Sequence, residues 1–290
     1  MSDPNTRYAS IEYLRSSREN LWNTDYFTFL VQQVWKMDKP VSIIDFGCGM
    51  GYLGAVLLPL LPEGSSYTGI DRSPELLEKA RSTFAETKWK AKFIQQDLTT
   101  YKPTDNYDVA ICQAALIHIP SPDKVLEKMA QSIKTGGRII CIEPSWGFSQ
   151  PGLANKYRHG MDVLSFEDWG LHQKLLDSEI KRGGCDRYVG IKIPAMMYDL
   201  DLINIDVRVN DKASFTFKEP DKSVLLKDRT ERRENRFNNT ALYVKGGLSE
   251  AEAERLLDGI LLTEDYENGY DGQLPIVEVG AWLISYAEKI

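Results

Sequence analysis

Between residues 45 and 54 the sequence sets an acid and four glycines close together: Asp45-Phe46-Gly47-Cys48-Gly49-Met50-Gly51-Tyr52-Leu53-Gly54. A glycine lacks the Cβ that holds a backbone away from a ligand, and alternate glycines after a strand let the chain lie close against one. The first N–H groups of a following helix then face the same ligand. Such a loop suits a nucleotide-type cofactor, and two registers compete for it. Gly49, Gly51 and Gly54 satisfy G-x-G-x-x-G, with Asp71 about twenty residues on, as a dinucleotide site requires. The other register is Asp45-x-Gly47-x-Gly49-x-Gly51, with Gly47 as the turn residue after a strand that ends at Phe46. An acid fixed ahead of the glycines suits a cofactor carrying an ammonium group and no phosphate.

Further acids and a histidine stand at the ends of other apolar runs. Asp71 closes Tyr67-Thr68-Gly69-Ile70-Asp71, where a carboxylate can accept from two vicinal ribose hydroxyls. Its competing role is as a helix cap, but Ser73, followed by Pro74 and Glu75, already supplies that cap. Asp97 follows Lys92-Phe93-Ile94-Gln95-Gln96 and could simply be a turn residue. His118 follows the run Tyr107 to Cys112, and Glu143 ends Arg138-Ile139-Ile140-Cys141-Ile142-Glu143. Glu143 could receive a substrate amine or act as a base, or it could be a buried acid paired with a helix start. His118 is either a substrate contact or a residue bonded to its own helix start.

These residues need elements to hold them. Strands are expected at 41–46, 67–71, 92–96, 107–112 and 138–143, the last introduced by Gly136-Gly137. Helices are expected at about 51–58, stopped by Pro59, and at 122–133. Strands alternating with helices at this pitch predict a parallel sheet covered on both faces. Residues 8–36 read as two N-terminal helices whose aromatic stripe packs on the sheet, with Tyr26 as the residue expected to reach the cofactor. Further on, 191–200 reads as a helix, 203–209 as a strand and 276–286 as the final strand.

The totals narrow the class. The chain has 290 residues, 42% hydrophobic content and a formal net charge of −7, which fits a globular domain and argues against a phosphate-backbone binder. Cys48, Cys112, Cys141 and Cys185 show no C-x-x-C spacing and read as reduced residues, pointing to the cytoplasm. No signal pattern or membrane-length apolar run occurs, and no zinc-ligand spacing or G-x-S-x-G, so neither a membrane nor a metal is expected.

The ordered series DFGCGMG, GID, QQD, YDVAICQAALIHI and KTGGRIICIEP, spanning 41–144, resembles the class I S-adenosylmethionine (SAM)-dependent methyltransferases. The resemblance implies an α/β, Rossmann-like, doubly wound fold with a mostly parallel seven-stranded sheet and an antiparallel last strand. The whole chain then reads as one methyltransferase domain with its core at 38–145, 184–211 and 274–290. Mainly helical cap insertions would occupy 146–183 and 212–273, covering a small-molecule substrate. The implied cofactor is SAM, with S-adenosylhomocysteine as product. Its contacts would come from Asp45, Gly47, Cys48, Gly49, Gly51, Asp71 and Arg72, with Asp97 and Leu98 at the adenine and Gln113 and Ala114 beyond strand four. Substrate contacts would come from His118, Glu143 and Trp146, the first two being the candidate catalytic residues.

Methyl transfer can gain its rate largely from holding a nucleophile in near-attack geometry, so no catalytic constellation is required. Other readings are an RNA or protein methyltransferase, a SAM-binding module without chemistry, or an NAD-dependent oxidoreductase. Gln113-Ala114-Ala115-Leu116 stands where an N-P-P-Y-type tetrapeptide would mark methylation of amide or base nitrogens. The aromatic insertions are as well suited to a homodimer contact as to a substrate.

Overall fold

The computed structural model describes residues 21–103, 106–145, 154–155, 166–181, 185–216, 236–267, 276–279 and 281–290. They fall into two units, one from residues up to 145 with 188–212 and 282–290, the other from 146–187 and 213–281. In chain order the first unit contains α1 (Thr24–Phe29), β1 (Ser42–Phe46), α2 (Tyr52–Leu57), β2 (Ser66–Asp71), α3 (Pro74–Ala85) and β3 (Lys90–Gln95). It continues with β4 (Tyr107–Gln113), α4 (Pro122–Ser132) and β5 (Ile133–Pro144). The second unit interrupts it with β6 (Ala154–Asn155) and α5 (Phe166–Lys181), before α6 (Val189–Asp199) and β7 (Ile203–Val209) return to the first. The second unit resumes with β8 (Ala213–Thr216), α7 (Arg236–Lys245), α8 (Glu250–Glu267) and β9 (Ile276–Val279), and β10 (Trp282–Glu288) closes the first.

The main sheet has the order β3-β2-β1-β4-β5-β10-β7. Its pairs from β3 to β5 are parallel, and β10 runs antiparallel between β5 and β7. The apolar runs of β1 and β4 are buried on both faces, as strands sandwiched between helices must be. One face carries Ile43, Val109, Ile111, Ile140, Ile142 and Ile284 and packs against Phe27, Leu30 and Trp35 of the N-terminal segment. Local chemistry sets the boundaries. Ser73 Oγ accepts the Leu76 N–H at 3.3 Å and Pro74 occupies the first turn of α3, while Pro59 turns the end of α2 into a 3₁₀ segment, Leu58–Leu60.

Three expectations change. The strand predicted from Arg138 begins at Ile133 instead, because the Gly136 N–H donates to Lys289 O and the Lys289 N–H to Gly137 O, taking the glycine pair into the sheet. The strand predicted over 276–286 is two: β9 belongs to the second unit and β10 to the main sheet. The second unit, expected to be mainly helical, also holds a three-stranded antiparallel sheet, β6-β9-β8. The same unit holds a small core of Leu175, Leu248, Ala253 and Leu256, and α8 opens with a capping box. There Glu252 Oε2 accepts the Ser249 N–H at 2.7 Å and Ser249 Oγ accepts the Glu252 N–H at 3.3 Å. The predicted first N-terminal helix and Trp146 lie outside the described residues.

At the amino ends of the strands, Asp108 ties β1, β4 and β5 together. Its Oδ2 accepts from the Ser42 N–H (2.8 Å) and hydroxyl (2.7 Å), and its Oδ1 from Lys134 Nζ (2.8 Å). Burial pushes this carboxyl up, but Lys134 and the two Ser42 donors outweigh it and hold it below its usual value. A carboxyl depressed by folding contributes its stability above the unfolded value, near 3.9, and loses it as pH falls through the folded one. Asp108→Asn should therefore be less stable than the wild type at pH 7, and the gap should close as the pH is taken below about 4. Urea unfolding at both pH values measures it, and a gap independent of pH would refute the assignment.

Candidate active site

The carboxyl end of β1 is built by the glycines. Gly47, at φ +79°, turns the chain directly after Phe46, and a Cβ on it would lie 2.6 Å from the Ala115 Cβ. The Gly47 and Cys48 N–H groups both donate to Ile70 O, at 2.8 and 2.9 Å, which hangs the loop on β2. The Gly49 N–H donates to Asp71 Oδ2 at 2.8 Å. Gly49 has φ +53°, and a Cβ there would meet nothing nearer than Leu76 Cδ1 at 4.0 Å, an ordinary contact, so this point of the loop is uncrowded. Gly54 has another task, since a Cβ there would lie 2.6 Å from the Tyr67 ring; it lets α2 settle on β2. The turn glycine is thus Gly47, in the register that begins with Asp45. Cys48 packs its sulfur over Gly69, and burial, then Asp45, push its thiol far up, so it fills space as a neutral group.

Asp45 is 1% exposed, and its Oδ2 accepts from the Tyr67 hydroxyl at 2.5 Å. Burial first, then the Asp45 charge, hold the Tyr67 hydroxyl well above its usual value, so it keeps its proton and donates it. Tyr67 escaped the sequence reading, although strand alternation places it on the face of Asp71 and in register with Ile43, two residues before Asp45. Asp71 Oδ1 accepts the Ser73 N–H at 2.9 Å while Oδ2 holds Gly49, so this acid joins loop, strand and helix. Each carboxylate oxygen has a second lone pair, which leaves room for ribose hydroxyls. Arg72 is exposed beside it.

At the end of β3, Asp97 is exposed, and its Oδ1 accepts from the Thr99 N–H (2.7 Å) and hydroxyl (2.6 Å). Those two hydrogen bonds lower its carboxyl, and the local geometry is that of an aspartate turn. Leu98 is buried, and Lys128 of α4 fastens this loop by donating to Leu98 O at 3.1 Å and to Thr99 O.

Glu143 departs most from expectation. It is 0% exposed; its Oε1 accepts the Ala115 and Leu116 N–H groups, both at 2.8 Å, and its Oε2 the Ile117 N–H at 3.3 Å. With three backbone N–H groups and the Cys112 thiol on it, this carboxylate acts as a structural clamp, where an open acid at the mouth was expected. It winds the 3₁₀ turn Leu116–His118 and leaves His118 exposed at its end. The turn is entered through Ala114, which takes φ +51°, a strained setting for a residue with a Cβ. Gln113, the last residue of β4, is 7% exposed, and its Nε2 is buried without a hydrogen-bond partner among the described residues. Tyr26 is also displaced from its expected role: its hydroxyl donates to Val209 O at 2.9 Å on the far edge strand, three strands from β4. Among the described residues no His, Cys, Asp and Glu cluster is placed to hold a metal.

Asp45, Gly47, Gly49, Asp71, Gln113 and Ala114 therefore converge at the carboxyl ends of β1, β2 and β4, on a sheet ordered 3-2-1-4-5-10-7. Residues 37–180 match a family model described as a methyltransferase domain. That segment carries a methyltransferase domain of the class I SAM-dependent kind. A curated relative, the ubiquinone biosynthesis O-methyltransferase of Yersinia pestis (strain Pestoides F), is 33% identical over 101 residues, which is 34% of this chain and 40% of that protein. The chain thus spans about two fifths of the length of the curated relatives it matches. Two solved structures share the fold. The Bacillus subtilis YcgJ protein has TM-score 0.51 and 15% identity, with 92% of this chain and 99% of that one covered. Haemonchus contortus phosphoethanolamine N-methyltransferase 2, in complex with phosphomonomethylethanolamine and S-adenosylhomocysteine, has TM-score 0.51 and 16% identity, with 91% and 53% covered.

Removing the Glu143 carboxylate should orphan three N–H groups in a dry site. Glu143→Ala is expected to cost about 3–5 kcal/mol, and Glu143→Gln less, about 1–2, because its amide keeps one acceptor oxygen. Chemical denaturation of the two variants measures this, and a stability-neutral Glu143→Ala would contradict the clamp.

Proposed function

We propose that this methyltransferase-family chain binds SAM and transfers its methyl group to a small-molecule acceptor, mainly by proximity and orientation. The observation that carries the reading is the bond from the Gly49 N–H to Asp71, which sets a ribose-type acid against an uncrowded point of the glycine loop. The donor set suits that cofactor. Asp45 is an acceptor for its ammonium group, Asp71 for its ribose hydroxyls, and the Leu98 loop adjoins the adenine. The uncrowded backbone at Gly49 and the buried Gln113 Nε2, without a partner among the described residues, suit a ligand that takes a donor there.

When bound, SAM supplies an electrophilic methyl group on a sulfonium sulfur. The chain's own residues bind, orient and exclude water. Backbone hydrogen bonds hold the glycine loop, and Glu143 holds the turn beyond β4, so neither has to reorganise on binding. We assign His118, at the exposed end of that turn, to the acceptor side. The second unit, which the chain enters and leaves at the carboxyl ends of β5 and β7, we assign to acceptor selection.

The small-molecule reading is supported by the net charge of −7 and by the named activity of the Yersinia relative. Incubation with methyl-labelled SAM and either a metabolite extract or total RNA tests it. Label should enter the metabolite fraction; label confined to RNA would reverse the assignment.

Calorimetric titration with S-adenosylhomocysteine and with NAD tests the cofactor. Micromolar binding of the first and none of the second is expected; the converse would return the loop to the dinucleotide register. Asp71→Ala should weaken S-adenosylhomocysteine binding at least about tenfold, the equivalent of one charged hydrogen bond. Unchanged affinity in a folded variant would remove Asp71 from the ribose.

A further inference from the structure

We infer that the outer face of α6 and the uncovered edge of β7 form an interface for a second copy of this chain, with the two α6 helices antiparallel about Ala195. The interface lies in the first unit alone and does not depend on the cofactor.

The apolar exposure of the described residues is concentrated here. Of their eight exposed large apolar side chains, five lie on these two consecutive elements: Ile191 and Tyr198 on α6, and Ile203, Val207 and Val209 on β7. Single exposed apolar residues are ordinary on a protein surface, whereas a group of them on adjoining elements marks a contact. α6 buries Val189, Ile193 and Met197, and Gly190 lets it settle so closely that a Cβ there would lie 2.8 Å from Pro144 O. Helical spacing then puts Ile191, Ala195 and Tyr198 on one exposed stripe. Tyr198 is 75% exposed.

The edge of the sheet excludes one class of occupant. The Asn210 N–H donates to Trp282 O, so by strand alternation residues 207 and 209 turn their own N–H and C=O groups away from β10. The Val207 N–H already donates to Asp206 Oδ1 at 2.8 Å, and Val209 O already accepts the Tyr26 hydroxyl at 2.9 Å. An extended peptide added as a further strand would find these groups occupied. What is left to cover is side-chain surface, which suits a packed pair of helices.

Charge selects a second copy. Asp199, the last residue of α6, is exposed at the end where the helix dipole disfavours an acid, and it makes no ion pair among the described residues. Lys192 is exposed near the opposite end of the same helix. An antiparallel second copy brings its Lys192 beside this Asp199, and by symmetry the contact is made twice. The same placement sets Ile191 beside Tyr198 of the second copy, and the small side chain of Ala195 lets the two axes approach at the crossing. An anionic lipid surface would instead meet the exposed acids Asp199, Asp201 and Asp206.

Sedimentation equilibrium of the full chain over a range of concentrations tests the inference. The wild type should be a dimer that dissociates on dilution. Ala195→Arg, at an exposed position, should weaken association at least about tenfold by placing bulk at the crossing. Lys192→Asp and Asp199→Lys should each weaken it at least about tenfold, since each sets two pairs of like charges face to face. Mixed in equal amounts, those two variants should recover a dimer holding one of each, because every pair is then of opposite sign. Only folded partners can recover in this way, so mixing separates lost association from lost folding. A wild type that stays monomeric, an Ala195→Arg variant that associates as the wild type does, or charge variants that fail to recover on mixing would overturn the inference. A monomer that floats with phosphatidylcholine vesicles would also overturn it, and would give the patch to a lipid surface.

Discussion

The contact between Gly47 and Ala115 is the constraint on which the site depends. The two strand-end loops of β1 and β4 approach so closely that a single Cβ on Gly47 would lie 2.6 Å from its neighbour. Each loop must therefore be held in one conformation, and each is held by backbone hydrogen bonds. On the β4 side Glu143 takes the N–H groups of Ala115, Leu116 and Ile117. On the β1 side Ile70 O takes those of Gly47 and Cys48, and Asp71 takes that of Gly49. The strain of Ala114 at φ +51° persists because the surroundings over-determine it. A change at Glu143 would pass to Ala115, then to Gly47, and so to the cofactor loop, through atoms already in contact.

The acids of the site divide by what surrounds them. Glu143 holds three backbone N–H groups and cannot exchange them for a substrate without leaving buried donors unmet. Asp45 is anchored by a tyrosine that burial keeps protonated. Asp71 is only half buried and combines a structural task with spare acceptor capacity. The β4 loop and β5 end carry the clamp that keeps this end of the sheet fixed.

What was legible in the sequence was local. Asp45-x-Gly47-x-Gly49-x-Gly51 identified the turn glycine and Ser73-Pro74-Glu75 marked a helix start, because each is decided within a few residues of chain. What was hidden was decided by distant partners. Glu143 reads as a mouth acid until its bonds, reaching up to 28 residues away, turn it into a clamp. Tyr26 reads as a cofactor contact until Val209, 183 residues on, takes its hydroxyl. The final strand reads as one because the apolar alternation continues across 276–286, while the pairing that divides it is tertiary.

The same division separates the first unit from the second. The glycine loop and the acids of β1 and β2 sit at strand ends whose geometry the parallel sheet imposes, so a sequence of loops and acids suffices to locate them. The family match begins at residue 37 and stops at 180, short of α7, α8 and the strands of the second unit that follow. Those elements are assembled from segments on either side of α6 and β7, and their small core and three-stranded sheet owe nothing to the glycine motif. The second unit can then vary while the bonds that fix Gly47, Gly49 and Ala115 stay as they are. Fold alone does not state function here: what the sheet imposes is the placement of the loop and its acids.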